Sequence, residues 1–253
     1  MIDERWGEDS REFAAVLRDA LVRACPPATV RAVEADPTGP AAAKLAADLR
    51  QIGLEELPPD PELRAATAFE LGYAGAIPLT RSASTESVLI SVAEIAGAAQ
   101  RALDLAVAYA REREQFGVKI GSFQAVAHRL VDTRIAVDGL TLLVRKVAGT
   151  GEPDEFWTAA LISAAVPRAL TVARNTHQVF GGHGFTVEAD LQLWTRRLRS
   201  WARALPQDPA RARIAIARQL LTDADPVRGL WHNDRGLSLP RWARELDETG
   251  ARS

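Results

Sequence analysis

Residues 178–186 read Gln-Val-Phe-Gly-Gly-His-Gly-Phe-Thr and, together with residues 109–124, they indicate the fold. The three glycines in four positions let the backbone adopt positive φ and expose its amide groups. Successive exposed N–H groups accept anions, and the N-terminus of a following helix adds favourable partial charge. The turn suits a pyrophosphate or ribose. A tight interhelical turn with glycine caps explains the same residues, and the stretch alone favours that simpler interpretation.

Residues 109–124 read YAREREQFGVKIGSFQ and form the second informative stretch. Arg113 lies near the predicted end of a helix, and a guanidinium group binds phosphate through two parallel hydrogen bonds. Phe116 is suited to stack on a planar ring, while Gln115 and Gln124 are suited to hydrogen-bond amide-like edges. Taken by itself, the alternating charge of this stretch is more typical of a solvated turn.

Helical periodicity on both sides of these stretches predicts an all-α fold. The predicted C-terminal helices span residues 86–113, 122–148, 153–180, about 191–205 and 209–221. Shorter helices are predicted at residues 10–23, 40–53 and 62–71. Because long helices joined by short loops favour antiparallel packing, we expect a bundle. The nearest candidate for a strand is Thr29–Val33, and its pattern is weak.

Three regions follow from this pattern. We expect a shortened N-terminal helical region at residues 1–85, an antiparallel helical bundle at 86–222 and a C-terminal tail at 223–253. The tail is mostly polar, and its Trp231 and Trp242 are equally suited to contact a partner or to fold back on the chain.

Composition excludes several functional classes. The net charge of −2 provides no broad basic face for nucleic acid. The lone cysteine, Cys25, excludes an internal disulfide and fits a reducing cytoplasm. Charges such as Glu94, Arg101 and Asp104 interrupt the most apolar stretch, whereas a membrane span needs about 20 mostly apolar residues. The four histidines lack metal-ligand spacing. We therefore expect a cytoplasmic protein without a membrane span or a metal.

The two stretches together resemble the C-terminal helical domain of the acyl-CoA dehydrogenases. That family shows Tyr-Ala, Arg-x-Gln-Phe-Gly, Phe-Gln and Gln-x-x-Gly-Gly-x-Gly-Phe/Tyr in this order. Here the four motifs occupy residues 109–110, 113–117, 123–124 and 178–185. The resemblance covers residues 86–221 closely and the first eighty residues loosely.

The resemblance implies a cofactor site shared between subunits. In the family, FAD lies between the sheet domain of one subunit and the C-terminal domain of its neighbour. The residues implied to reach a neighbour's FAD are Arg113, Gln115, Phe116, Gln124, Gln178, Gly181 and Gly182.

The sequence also departs from the family. Residues 62–87 are far too few to hold the β-rich domain that covers the flavin ring and shapes the acyl pocket. The position of the family's glutamate base falls near Leu205, and the next carboxylate is Asp208. Some members place the base early in the first long helix, but Glu86 is one residue out of register, a rotation of about 100°. Glu86 is better explained as a helix-start charge, so no catalytic residue is assigned.

The favoured hypothesis is a small subunit of a heteromeric acyl-CoA dehydrogenase. The resemblance extends to actinobacterial two-gene enzymes that act on steroid-type thioesters. A full-length partner would supply the base, most of the flavin pocket and the acyl-CoA site, and the pair would carry out α,β-desaturation. A flavin-free enzyme on the same fold and a non-catalytic structural partner are the alternatives, and the retained motif residues weigh against both.

Overall fold

The computed structural model describes residues 6–54, 58–76, 87–151 and 153–222. The helices within these ranges are α1 (Glu8–Ala24), α2 (Pro27–Ala35), α3 (Pro40–Gln51), α4 (Pro61–Ala74), α5 (Val88–Glu112), α6 (Gln124–Ala148), α7 (Glu155–Phe180), α8 (Leu191–Ala204) and α9 (Pro209–Thr222). Two short strands, β1 (Glu114–Gln115) and β2 (Val118–Lys119), form an antiparallel hairpin between α5 and α6. The expectation of an all-α fold is therefore confirmed.

The weak strand candidate Thr29–Val33 is wrong, because these residues form part of α2. Pro27 occupies the first turn of this helix, where its missing N–H costs nothing. Val30 and Val33 lie three residues apart and are both buried. Burial of this helical face outweighs the β-propensity of the branched side chains. The β1–β2 hairpin was not predicted, since strands of two residues carry no readable period.

Helices α4 and α5 cross at very short range because glycines occupy both sides of the contact. A Cβ atom at Gly72 would lie 2.1 Å from the backbone oxygen of Glu94, and one at Gly97 would lie 1.9 Å from that of Phe69. Buried positions run along most of α5, from Leu89 to Ala110. Helix α5, which contains Glu94, Arg101 and Asp104 within the most apolar stretch of the sequence, is thus the central helix of the fold.

The N-terminal helices share one core with the C-terminal bundle. The indole Nε1–H of Trp194 in α8 donates to the backbone oxygen of Tyr73 in α4 at 2.9 Å. The buried guanidinium of Arg197 pairs with Glu34 in α2 and donates to the backbone oxygen of Gly75. The hydrophobic core accordingly runs without a break from α1 to α8. The predicted boundary at residues 85–86, with Glu86, and the tail with Trp231 and Trp242 lie outside the described residues.

Helix α7 is apolar over most of its length. By length and hydropathy alone, Glu155–Phe185 is the described segment that could cross a membrane. Its buried residues, including Leu161, Ala165 and Val172, instead belong to the protein's hydrophobic core. Such burial is typical of a helix at the centre of a bundle. Pro167 lies inside this helix, which continues past it to Phe180.

Candidate functional site

The first predicted stretch forms the end of α5 and the hairpin that follows it. Arg113 is the C-terminal cap of α5, and its backbone N–H donates to the oxygen of Tyr109 at 2.9 Å. The Ile120 N–H returns to the oxygen of Arg113 at 2.9 Å and closes the base of the hairpin. Residues 113–119 are all exposed, so this hairpin projects from the body of the fold.

The hairpin tip holds an aromatic residue in an unfavourable backbone conformation. Phe116 and Gly117 form the two-residue turn between β1 and β2, with φ of 54° and 79°. Positive φ at both central residues is the geometry of a type I′ turn, which normally selects asparagine, aspartate or glycine. Phe116 is nevertheless 93% exposed, and its ring meets Phe123 edge-on with 6.2 Å between centroids. A strained and exposed aromatic side chain is typical of a ligand-binding position.

The second predicted stretch forms a tight glycine turn after α7. Residues 181–185 form a short 3₁₀ turn, and Gly181 has φ of 59°. A Cβ atom at Gly181 or Gly182 would meet no other atom within 4 Å, so the backbone here is open to a ligand. In contrast, a Cβ atom at Gly184 would lie 2.8 Å from that of Phe180. The turn is therefore open to solvent at Gly181 and Gly182 and packed against α7 at Gly184.

Three stacked aromatic rings join the two stretches. Tyr109, one turn before Arg113, stacks on Phe180 with 4.3 Å between ring centroids. His183 in the glycine turn lies 5.8 Å from Tyr109 and 6.0 Å from Phe180 by the same measure. The end of α5 and the glycine turn are thus in direct contact, at one exposed end of the bundle.

The polar candidates at this end differ in how free their side chains are. The exposed side chains of Arg113 and Gln178 form no hydrogen bond or ion pair within the described part of the chain. The Gln115 amide donates to the oxygen of Glu114 at 2.6 Å, and the Gln124 amide lies 3.4 Å from the His128 ring nitrogen. The motif residues at this end therefore offer the Arg113 guanidinium and the Gln178 amide to a ligand.

A surface ion pair stabilises the hairpin beside Arg113. The Lys119 ammonium lies 2.6 Å from a carboxylate oxygen of Glu114, and this hydrogen bond lowers the pKa of Glu114. The two residues face each other across β1 and β2. Because Glu114 pairs with Lys119, it does not neutralise Arg113.

His177 was not identified as a site residue from the sequence. Its side chain packs against Phe185 of the glycine turn. The His177 ring is buried, stacks on Phe185 at 5.1 Å and hydrogen-bonds the Thr195 hydroxyl at 2.8 Å. Desolvation, together with the nearby Arg199 charge, lowers the pKa of His177, so the ring is neutral near pH 7. The sequence feature that could have identified His177 is its position one residue before Gln178.

Asp208, the first carboxylate after the family's base position, serves as a helix cap. Asp208 accepts the backbone N–H of Ala210 at 2.7 Å and caps the start of α9. Leu205, near the family's base position, is buried.

Comparison with known proteins supports the resemblance. The family described as acyl-CoA dehydrogenase, C-terminal domain, matches residues 85–203. The acyl-CoA dehydrogenase IpdE2 of Mycolicibacterium smegmatis is 38% identical over 120 residues, which are 47% of this chain and 38% of IpdE2. The acyl-CoA dehydrogenase FadE34 of Mycobacterium tuberculosis is 35% identical over 153 residues, which are 56% of this chain and 22% of FadE34. The chain thus spans well under half of these curated relatives.

A solved structure shares the fold over most of the chain. One chain of the ChsE4–ChsE5 complex from Mycobacterium tuberculosis superimposes with a TM-score of 0.74 at 15% identity, covering 88% of this chain and all of that one. At this identity the likeness concerns the fold alone. Together, the helical fold, the motifs at one exposed end and the family match show that residues 85–203 form a C-terminal helical domain of the acyl-CoA dehydrogenase family.

Proposed function

We propose that this chain is a subunit of a heteromeric acyl-CoA dehydrogenase and contributes FAD-contacting residues to a full-length partner subunit. The observation that carries the proposal is the contact between the Arg113 end of α5 and the Gly181–Gly182 turn, through the stacked rings of Tyr109 and Phe180. Both segments open to solvent rather than into the chain's own core. A ligand at this end would therefore be shared with another molecule.

The residues at this end fit parts of FAD. Arg113 offers a guanidinium whose planar shape and permanent charge suit a pyrophosphate. The open backbone at Gly181 and Gly182 has no side chain that would keep a phosphate or ribose away from its amides. Phe116 presents a free aromatic face, and Gln178 presents a free amide. Charge, aromatic surface and hydrogen-bonding groups are thus available together.

The proposal includes a partner because the described part of the chain supplies only one side of such a site. Within the described ranges, the β-structure amounts to the β1–β2 hairpin. A sheet domain able to enclose a flavin ring would have to come from a full-length subunit. The fold shared with a chain of the ChsE4–ChsE5 complex supports assembly with a second protein.

The proposed reaction is α,β-desaturation of an acyl-CoA thioester in the assembled pair. The partner would supply the base and the acyl-CoA site, and bound FAD supplies the hydride acceptor. The role of this chain is to bind and orient: Arg113 holds negative charge, and Phe116 covers a ring. The sequence resemblance alone extends the proposal to steroid-type thioesters.

Expression of the chain alone, and together with any full-length acyl-CoA dehydrogenase encoded by an adjacent gene, tests the proposal. We expect a colourless protein alone and a yellow pair, recorded as visible flavin absorbance and as FAD per pair after extraction. A yellow chain alone would contradict sharing. A stable but colourless pair would favour a structural role instead.

Substitution of one arginine makes the test specific. Arg113→Ala removes a charged hydrogen-bond donor, which contributes about 1.5–3 kcal/mol to binding, equivalent to about 10- to 150-fold weaker FAD retention. Arg111→Ala is the matched control, since Arg111 is exposed on the same final turn but lies outside the family motif. Equal FAD content in both variants would refute the role of Arg113.

A further inference from the structure

Helix α6 carries a second stripe of residues on its outward side. The stripe comprises Gln124, His128, Val131, Ile135, Asp138 and Leu142, with spacings that alternate between four and three. Its two branched apolar side chains are unusually open: Val131 is 56% exposed and Ile135 is 65% exposed. Alternating spacing of this kind is typical of a helix surface that packs against another helix. We name these six residues the outward seam.

The inward side of α6 already has its own contacts. Val137, Leu140 and Val144 are almost completely buried within the core. Arg129 reaches Asn175 in α7 at 3.3 Å, while Gly139 lies near Arg168 of the same helix. These two contacts show that α6 and α7 run antiparallel. The outward seam is therefore additional to what α6 needs for folding.

The outward seam is continuous with two other features of the surface. It begins at Gln124, itself a candidate site residue, which follows the β1–β2 hairpin after a short 3₁₀ turn at Ile120–Ser122. Its other end, at Asp138 and Leu142, borders a groove of about 760 Å³ between α6 and the N-terminal helices, with Trp6 and Arg18 on the opposite side. One face of the molecule thus runs from the candidate flavin site to this groove.

Charges beside the outward seam argue against a second copy as its occupant. An antiparallel copy would place Val131 opposite Ile135 of the second copy, which is favourable. The same twofold arrangement, however, brings Arg134 close to Arg134 of the other copy, and Asp132 close to its own counterpart. Like charges that meet across a helix pair are destabilising. Arg134 also pairs with Asp138 of its own chain at 2.8 Å, which leaves the exposed Asp132 as the stronger repulsion.

We infer that the outward seam of α6 docks a helix of the full-length partner subunit, an inference that rests on the proposed function. The complementary helix presents apolar side chains to Val131 and Ile135, a basic side chain near Asp132 and an acidic one near Arg134. Docking there places the partner against the same face that holds Gln124, at the edge of the candidate flavin site.

A double substitution tests the inference in the co-expressed pair. Val131→Glu with Ile135→Glu puts two charges in the centre of the outward seam, and we expect at least about tenfold weaker association with the full-length dehydrogenase. Both side chains face solvent in the free chain, so its helical content and melting temperature should match those of the wild type. The matched control is Val16→Glu with Val22→Glu on α1, where both valines are also exposed.

Each outcome has a distinct meaning. Wild-type stoichiometry of the Val131/Ile135 variant, or equal loss in the α1 control, would overturn the inference while leaving the Arg113 test of the proposed function intact. A wild-type pair that never forms would defeat both. A homodimer of the chain alone, dispersed by the double substitution in sedimentation experiments, would assign the seam to a second copy and overturn the inference.

Discussion

Replacement of Phe116 by asparagine separates the stability of the hairpin from its function. Phe116 occupies the first central position of the β1–β2 turn at φ 54°. A left-handed conformation costs an ordinary L-residue about 1–2 kcal/mol. Asparagine tolerates this region because its short side chain hydrogen-bonds the local backbone. We expect Phe116→Asn to recover about 1 kcal/mol of that strain.

The Phe116 ring itself adds little to the stability of the chain. It is 93% exposed and touches Phe123 edge-on. An aromatic pair contributes about 0.5–1.5 kcal/mol, and an exposed pair belongs at the lower end of that range. The free energy of unfolding should therefore stay constant or rise by up to about 0.5 kcal/mol in the asparagine variant. Urea denaturation of the chain alone measures this difference.

Flavin binding should change in the opposite direction. Stacking of a base on an aromatic side chain contributes about 1–3 kcal/mol, so the pair should retain FAD about 5- to 150-fold more weakly. Gly117→Ala is the control for strain: Gly117 has φ 79°, and a Cβ atom there would meet nothing within 4 Å. Its cost should be backbone strain alone, about 1–2 kcal/mol.

Two results would refute this reasoning. A Phe116→Asn chain that is less stable by more than about 1 kcal/mol would show that the ring supports the fold. Unchanged FAD retention in the pair would show that the exposed ring does not contact the flavin.

Two further predictions concern the close crossing of α4 and α5 and the buried histidine beside the glycine turn. Gly97→Ala should destabilise the chain by about 2 kcal/mol or more in urea denaturation, because its Cβ would lie 1.9 Å from the oxygen of Phe69. A Cβ atom at Gly139 would lie 3.4 Å from the flexible Arg168 side chain, so Gly139→Ala should leave the free energy of unfolding unchanged or raise it. Equal losses of stability in the Gly97 and Gly139 variants would contradict the argument that α4 and α5 cross at short range. Since the folded-state pKa of His177 lies below its ordinary 6.5, the unfolded chain binds more protons, and stability should fall as the pH drops below 6.5. His177→Gln should weaken this acid-dependent loss in denaturation experiments, and identical pH profiles for variant and wild type would contradict it.

The long helices were predictable because their apolar periods are strong and their ends are marked. Gly149 follows α6 and Pro153 precedes α7, so the sequence brackets both helices within two residues. The proximity of the two motif stretches was also predictable, because the helices between Arg113 and the glycine turn form one hairpin that returns the chain to the same end.

Other features depend on tertiary contacts that one sequence does not display. Helix α2 was not predicted because its β-branched residues favour a strand by propensity. It forms because Val30 and Val33 are buried. The stack of Tyr109 on Phe180 requires two chain segments about seventy residues apart to meet, and the burial of His177 depends on its contact with Thr195 in α8. The outward seam of α6 was not identified from the sequence, because its residues alternate along the helix with the buried residues Val137, Leu140 and Val144.

The buried guanidinium of Arg197 limits how this chain can be dissected. A recombinant fragment cut at residues 85–203, the extent of the family match, would lack both Glu34 and the Gly75 carbonyl. It would also expose the indole of Trp194 that now reaches Tyr73. The region that comparison recognises is thus smaller than the unit that folds, and biochemical work on the candidate site should keep the helices that precede it.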